Sequence, residues 1–199
     1  MLTISVEANL KEMSKQLDSF RSDQFAFAVA KALTATAQDA QKAVREDMPN
    51  RFTLRRQWIV QGIRIEKATK SNLAAIVYSR DESFMARQEL GGIKAPKYGS
   101  NLALPMPSVR RTKTQIIAKS ELPGNLKNKF LIHAKDGRVY LANRFAKGKR
   151  AGVQLMYELR PKSMVKPRLG LHEITNKIVQ QNFQKNLIEA MNYAMRTAR

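Results

Sequence analysis

Residue types that could do covalent or metal chemistry are scarce in this sequence and poorly spaced for it. Cysteine is absent, which removes disulfides, thiolate nucleophiles and cysteine-ligated zinc. Of the two histidines, His133 falls in a strand-like stretch beside a turn, and His172 opens a helix-like one with Glu173 next to it. Neither has the spacing to a second ligand that a metal site requires. A metal-dependent nuclease needs clustered carboxylates, yet Glu46-Asp47 and Asp81-Glu82 are isolated adjacent pairs, and adjacent residues do not converge on a helix. No phosphate-cradling glycine loop, dinucleotide fingerprint, nucleophile elbow or internal repeat is present. The expectation is a non-enzyme that uses neither metal nor cofactor.

Charge offers more. The 199 residues carry 36 Lys and Arg against 16 Asp and Glu, a formal +20, and the excess is uneven. Lys94 to Gly170 holds 18 basic and 3 acidic residues, whereas Met1 to Ile93 holds 14 and 11. Such a surplus raises non-specific affinity for nucleic acid or an acidic protein surface, and it carries no sequence readout. A merely solubilising basic surface is the alternative. The residues expected to face DNA are Arg110, Arg111, Lys113 and Lys119, with Lys147, Lys149 and Arg150 in a second basic turn. Arg55 and Arg56, beside the single tryptophan Trp58, suit either a phosphate or partner contact or plain solvation around an anchoring indole.

The elements that must position these groups read as follows. Leu2 to Val6 alternates like a short strand. Leu10, Met13, Leu17 and Phe20 share a helical face, and from Phe25 to Met48 helical spacing persists for more than six turns, until Pro49 and Asn50 close it. The alanines between Ala26 and Ala40 allow close approach, to a sheet or to another subunit. Thr53 is placed to cap a short basic helix, Leu54 to Ile59. Ile63 with Ile65, and Leu73 to Tyr78, predict two antiparallel strands. Glycines and prolines from Gly91 to Leu126 predict an extended basic loop or arm at about 91–126, which would reach a neighbour or DNA. Phe130 to Lys135 and Arg138 to Ala142 flank Asp136-Gly137, a two-residue hairpin turn. Val153 to Leu159 predicts a strand, Pro161 and Pro167 bound a connector, and a last helix carries an apolar stripe from Leu171 to Met195. Phe183, Leu187, Met191 and Met195 in that stripe are core or oligomer-contact residues.

The fold expected from this pattern is α+β: a mainly antiparallel twisted sheet of about five or six strands, a long N-terminal helix packed across it and a C-terminal helix alongside, in a single domain 1–199. No apolar run approaches the roughly 18 residues of a membrane span, and Met1 to Val6 lacks the flank of a secretory signal. A soluble protein of a cytoplasm is expected.

The run Phe130-Leu131-Ile132, Lys135-Asp136-Gly137-Arg138-Val139-Tyr140, Arg144, Gly148-Lys149-Arg150 and Pro161-Lys162-Ser163-Met164-Val165 resembles the C-terminal half of the minor tail protein Z family of lambda-like phages. The Ala-rich helix, the basic segment near Leu54, the basic middle and the closing helix follow in the family's order, so the resemblance spans most of the chain. Glu89-Leu90-Gly91-Gly92 also looks like the Glu-x-Gly turn of the broader tail-completion or neck family. The resemblance implies a virion protein added at the head-proximal end of the tail, in the host cytoplasm during assembly. It implies partners among the neck and tail proteins (tail terminator, tail tube, head–tail connector), a homo-oligomeric ring, with a hexamer favoured, and non-specific contact with genomic double-stranded DNA. The alternative is a free-standing, sequence-independent nucleic-acid-binding protein; a nuclease is the third reading. No contact with membrane is expected.

Overall fold

The computed structural model describes residues 3–6, 22–145 and 152–197, so the stripe Leu10 to Phe20 and the basic turn Lys147 to Arg150 lie outside the described residues. The architecture is α+β. Where the sequence suggested one domain, the chain divides into two compact units: Met1–Gly91 with Lys166–Arg199, and Gly92–Val165 inserted between them.

The first unit is built on helix α1, Ser22–Arg51. Strands β1 (Thr3–Val6), β2 (Ile63–Glu66) and β3 (Ala75–Ser79) form an antiparallel sheet in the order β1-β3-β2. The expected pairing of the Ile63 and Tyr78 strands is present, with Ile65 opposite Val77. Helix α1 packs on β2 and β3 and, along its length, on the C-terminal helix, Leu171–Thr197. Its alanines explain the close approach: Ala28, Ala32, Ala37 and Ala40 are fully buried among Val29, Leu33, Val44 and Met48. The small side chains are therefore used within the chain.

Polar groups fix the register of this helix pair. Asp39 Oδ2 accepts from the amides of Asn182 (2.9 Å) and Asn186 (3.0 Å), and Asn186 also donates to Thr36 Oγ1 (3.0 Å). Partly buried amides bonded in this way discriminate against slipped packings, because a slip would leave them unpaired. Across the other face of α1, Gln41 (2.8 Å) and Arg45 (2.6 Å) donate to the carbonyl of Ile63 at the start of β2.

Two boundaries differ from expectation. Helix α1 runs through Pro49 to Arg51, with the Phe52 N–H reaching the Met48 carbonyl at 2.9 Å; a proline so near the end forfeits one hydrogen bond without stopping the helix. The basic helix expected over Leu54 to Ile59 is instead α2, Trp58–Gln61, with Gln57 rather than Thr53 at its cap. Leu54 and Ile59 both pack on the core, and a separation of five residues cannot serve one helical face.

A helix that the sequence pattern did not announce, α3 (Glu82–Leu90), follows β3. Its C-terminal end holds the chain where it returns from the inserted unit. The Gln88 carbonyl accepts from the N–H groups of Arg168 (2.6 Å) and Leu169 (2.8 Å). Glu89, its side chain only 6% exposed, then caps the C-terminal helix, α4. Its carboxylate accepts from the backbone N–H of Leu171 (2.8 Å) and of His172 (2.9 Å) and contacts His172 Nδ1 at 2.9 Å. Gly170, with φ +66°, makes the turn into that helix. A carboxylate at this end also meets the positive pole of the helix dipole.

Among the described residues the second unit contains two antiparallel sheets. Strands β4 (Gly92–Lys94) and β9 (Ser163–Val165) pair where the chain enters and leaves, Gly92 opposite Val165. Strands β5 (Leu102–Pro105), β6 (Lys129–His133), β7 (Val139–Phe145) and β8 (Gly152–Arg160) form a sheet in the order β5-β8-β7-β6. Val109, Leu126, Met156 and Tyr157 form its small core. The expected hairpin joins β6 to β7, but its loop has three residues, Lys135 to Gly137. Ala134 and Arg138 still pair (2.9 Å), the Gly137 N–H reaches the Ala134 carbonyl (3.0 Å), and Gly137 takes φ +80°. That is a type I turn followed by a left-handed glycine, and Asp136 supports it by accepting the Arg138 N–H at 3.1 Å.

Candidate nucleic-acid interface

The segment expected to be an extended basic loop or arm is fastened within the second unit. Met106 N–H bonds to the Met156 carbonyl at 2.9 Å, extending the β5–β8 ladder, and the buried Val109 anchors the following turn. Residues 110–118 then double back as a tight hairpin. Arg111 bridges Ile117, Ala118 N–H reaches the Arg110 carbonyl (3.2 Å), and Thr112 N–H reaches the Ile116 carbonyl (2.7 Å). The Thr112 hydroxyl accepts the Ile116 N–H at 3.2 Å, and Gln115 takes the left-handed conformation (φ +61°) that closes the tip. Lys113 stands at that tip, exposed.

Beyond the hairpin, a 3-10 turn at Lys119–Glu121 is tied to the core: the Tyr157 hydroxyl donates to the Glu121 carbonyl at 2.7 Å. Burial pushes the Tyr157 phenol above its ordinary range, Glu121 adds to the rise and Arg111 opposes it. The phenol therefore stays a neutral donor. Lys129 Nζ donates to the carbonyls of Pro123 and Gly124, each at 3.1 Å, and closes the remaining turn.

Of the expected DNA-facing residues, the structure brings Arg110, Arg111, Lys113 and Lys119 together on this hairpin and its adjoining turn. Arg110, 79% exposed, pairs with Glu121 (3.2 Å) at the hairpin base. Arg111 is partly buried, its guanidinium near the Gln115 carbonyl, and Lys119 is exposed. Lys147, Lys149 and Arg150 lie outside the described residues. Arg55 and Arg56 are exposed but belong to the first unit. The four expected oligomer contacts divide. Leu187 is 5% exposed, and Phe183 and Met191 pack against the first unit's core, so these three are occupied within the chain; Met195, 52% exposed, is not.

The electrostatics of the second unit are lopsided. It holds 16 Lys and Arg against 3 Asp and Glu, while the rest of the chain holds 20 against 13. Each of its three carboxylates is already engaged by a local arginine: Glu121 by Arg110, Asp136 by Arg138 (2.9 Å) and Glu158 by Arg160 (2.8 Å). The hydrogen bonds from Arg160 hold Glu158 below the usual carboxylate range. The remaining cations have no carboxylate of this unit left to meet. Lysines and arginines on short, braced turns suit contact with phosphates, which fixes position without reading bases.

Sequence reasoning missed the contacts that two carboxylates make. Glu121 sets the arginine at the hairpin base, and Glu89 takes His172 as a partner from 83 positions away. Nothing in local spacing points to either contact. Among the described residues no three His, Asp or Glu side chains converge as a metal site would require, and no helix is long and apolar enough to cross a membrane. Comparison with protein-family models, curated proteins and solved structures gives no match.

Proposed function

We propose that this chain is a non-catalytic structural protein of a tailed-phage virion, added at the head-proximal end of the tail, where copies ring the DNA channel and the second unit faces the duplex. The observation that carries the DNA part is the concentration of charge in Gly92–Val165, with every acidic side chain there already paired. The collinear resemblance to the minor tail protein Z family supports the virion setting, the neighbours and the six-fold ring. A channel lining needs cations and no base contacts, and weak, salt-sensitive binding leaves DNA free to pass.

Light scattering on the purified chain at moderate salt, with and without duplex DNA, tests this reading. A mass of several copies, or a monomer that assembles once tail components are added, is expected. A persistent monomer that coats DNA and never joins tails would replace it with the free-standing binder. Replacing Arg110, Arg111, Lys113 and Lys119 together by alanine should weaken duplex binding irrespective of sequence and flatten its log–log salt slope by up to about 3 to 4, from the ~0.9 per phosphate contact of double-stranded DNA. An unchanged slope would remove the hairpin from the interface.

A further inference from the structure

Away from the basic hairpin, the first unit contains a cavity of about 160 Å³ lined mainly by Met48, Phe52, Leu54, Ile59 and Phe84, with the polar Gln88 and Arg168 also in its wall. This is well below the ~300–1,000 Å³ of small-molecule sites; it matches one apolar side chain. Phe84 meets Trp58 edge-on, ring centroids 6.3 Å apart at 70°, yet the two rings are 36% and 41% exposed. An aromatic pair left in water beside an apolar cavity is the composition of an interface anchor point.

One cation lines it, and two more lie next to a wall residue in the sequence. The Arg168 guanidinium lies 5.7 Å over the Phe52 ring. Arg55 and Arg56 follow directly after the wall residue Leu54 and are exposed. Among the described residues none of these three side chains has an ion-pair partner. We propose that this pocket docks an acidic segment of a protein partner, which inserts one apolar side chain between Leu54 and Phe84 and sets carboxylates on Arg55, Arg56 and Arg168. The unpaired arginines at and beside this pocket favour an acidic chain over a second copy, which carries 36 Lys and Arg against 16 Asp and Glu. The mainly apolar walls decide against a nucleic-acid backbone, which has no apolar side chain to insert. The inference stands apart from the virion reading, since it concerns different residues and a different partner chemistry.

Trp58, the only tryptophan in the chain, supplies a local readout. The full chain is titrated with an N-acetylated octapeptide carrying a central Leu flanked by Glu and Asp, and Trp58 fluorescence is followed. A saturable change is expected, weakened at least about tenfold when the peptide Leu becomes Ser. The Arg55→Glu/Arg56→Glu double variant and, separately, Arg168→Glu should weaken it to a similar degree, with thermal unfolding showing that each variant still folds. Equal binding by the Ser peptide would reduce the site to bulk charge and overturn the proposal. So would equal binding by a Leu peptide with Lys flanks, the same fluorescence change on adding DNA, or a change produced by raising the protein concentration alone.

Discussion

Removing the Glu89 carboxylate should destabilise the first unit by loosening the start of α4. In Glu89→Ala the Leu171 N–H, on a fully buried residue, loses its acceptor, at a cost of about 1–3 kcal/mol. The His172 N–H recovers part of its loss from water, and the missing charge at the helix N-terminus costs about 0.3–1 kcal/mol more. The sum is about 2–4 kcal/mol, or roughly 6–12 °C in Tm at about 3 °C per kcal/mol for a chain of this size. Glu89→Gln keeps one acceptor oxygen and should lose about half as much. The sign with pH follows from the site. Burial pushes the Glu89 carboxyl up, but the N–H groups of His172 and Leu171 and the His172 ring pull it further down, so it titrates below the ordinary carboxylate range. Its contribution is therefore fully present above the unfolded-chain value near ~4.3, and is lost as pH falls through the depressed folded value. Thermal unfolding by far-UV circular dichroism, run from neutral pH to about pH 3, measures all of this. The Tm gap between the parent and Glu89→Gln should close in acid. A Glu89→Ala protein that melts within about 1 °C of the parent would refute the capping argument.

Other outcomes follow from the same packing. Asp39→Ala should cost about 1–3 kcal/mol by stranding the Asn182 and Asn186 amides, and a double-mutant cycle with Asn186→Ala in chemical denaturation should show non-additivity. Gly170→Ala should cost about 1–2 kcal/mol in the same assay from its left-handed backbone alone, with the Arg51 guanidinium, which the new Cβ would meet, forced to move as well. Tyr157→Phe should lose about 1 kcal/mol with the hydrogen bond to Glu121, and hydrogen exchange should rise in residues 119–125 while β7 and β8 stay protected.

The long helices and most of the longer strands were legible because each follows one period for several turns or pairs of residues. The helix around Ala28 to Met48 and the strand at Val153 to Leu159 are of this kind. Strands β4 and β9 were not, since three residues are too few to show alternation and all of β4 is exposed. Helix α3 was missed because Phe84, Met85 and Leu90 do not make a stripe. The division into two units was hidden for a related reason: local pattern identifies strands but not which strands pair. The basic hairpin illustrates the same divide. Its cations were plain in the sequence, while the fastening by Tyr157, Glu121 and Thr112 depends on tertiary geometry. Leu187 shows the converse, where an apolar stripe was legible but whether it faced a subunit or the chain's own core was not.

Strand β4 runs out beside returning strand β9, and this pairing bears on the order in which the polymer can be assembled. Closing a flexible loop as long as the inserted unit costs about 4 kcal/mol of chain entropy, and Glu89 cannot reach Leu171, nor Asp39 reach Asn186, until that loop is closed. Once Gly92 and Val165 are paired, the loop is closed already and the two halves of the first unit meet as if joined by a short tether. The inserted unit thus acts as a non-covalent clasp between the two halves, and melting or cutting it hands the closure entropy back to the helix pair α1–α4.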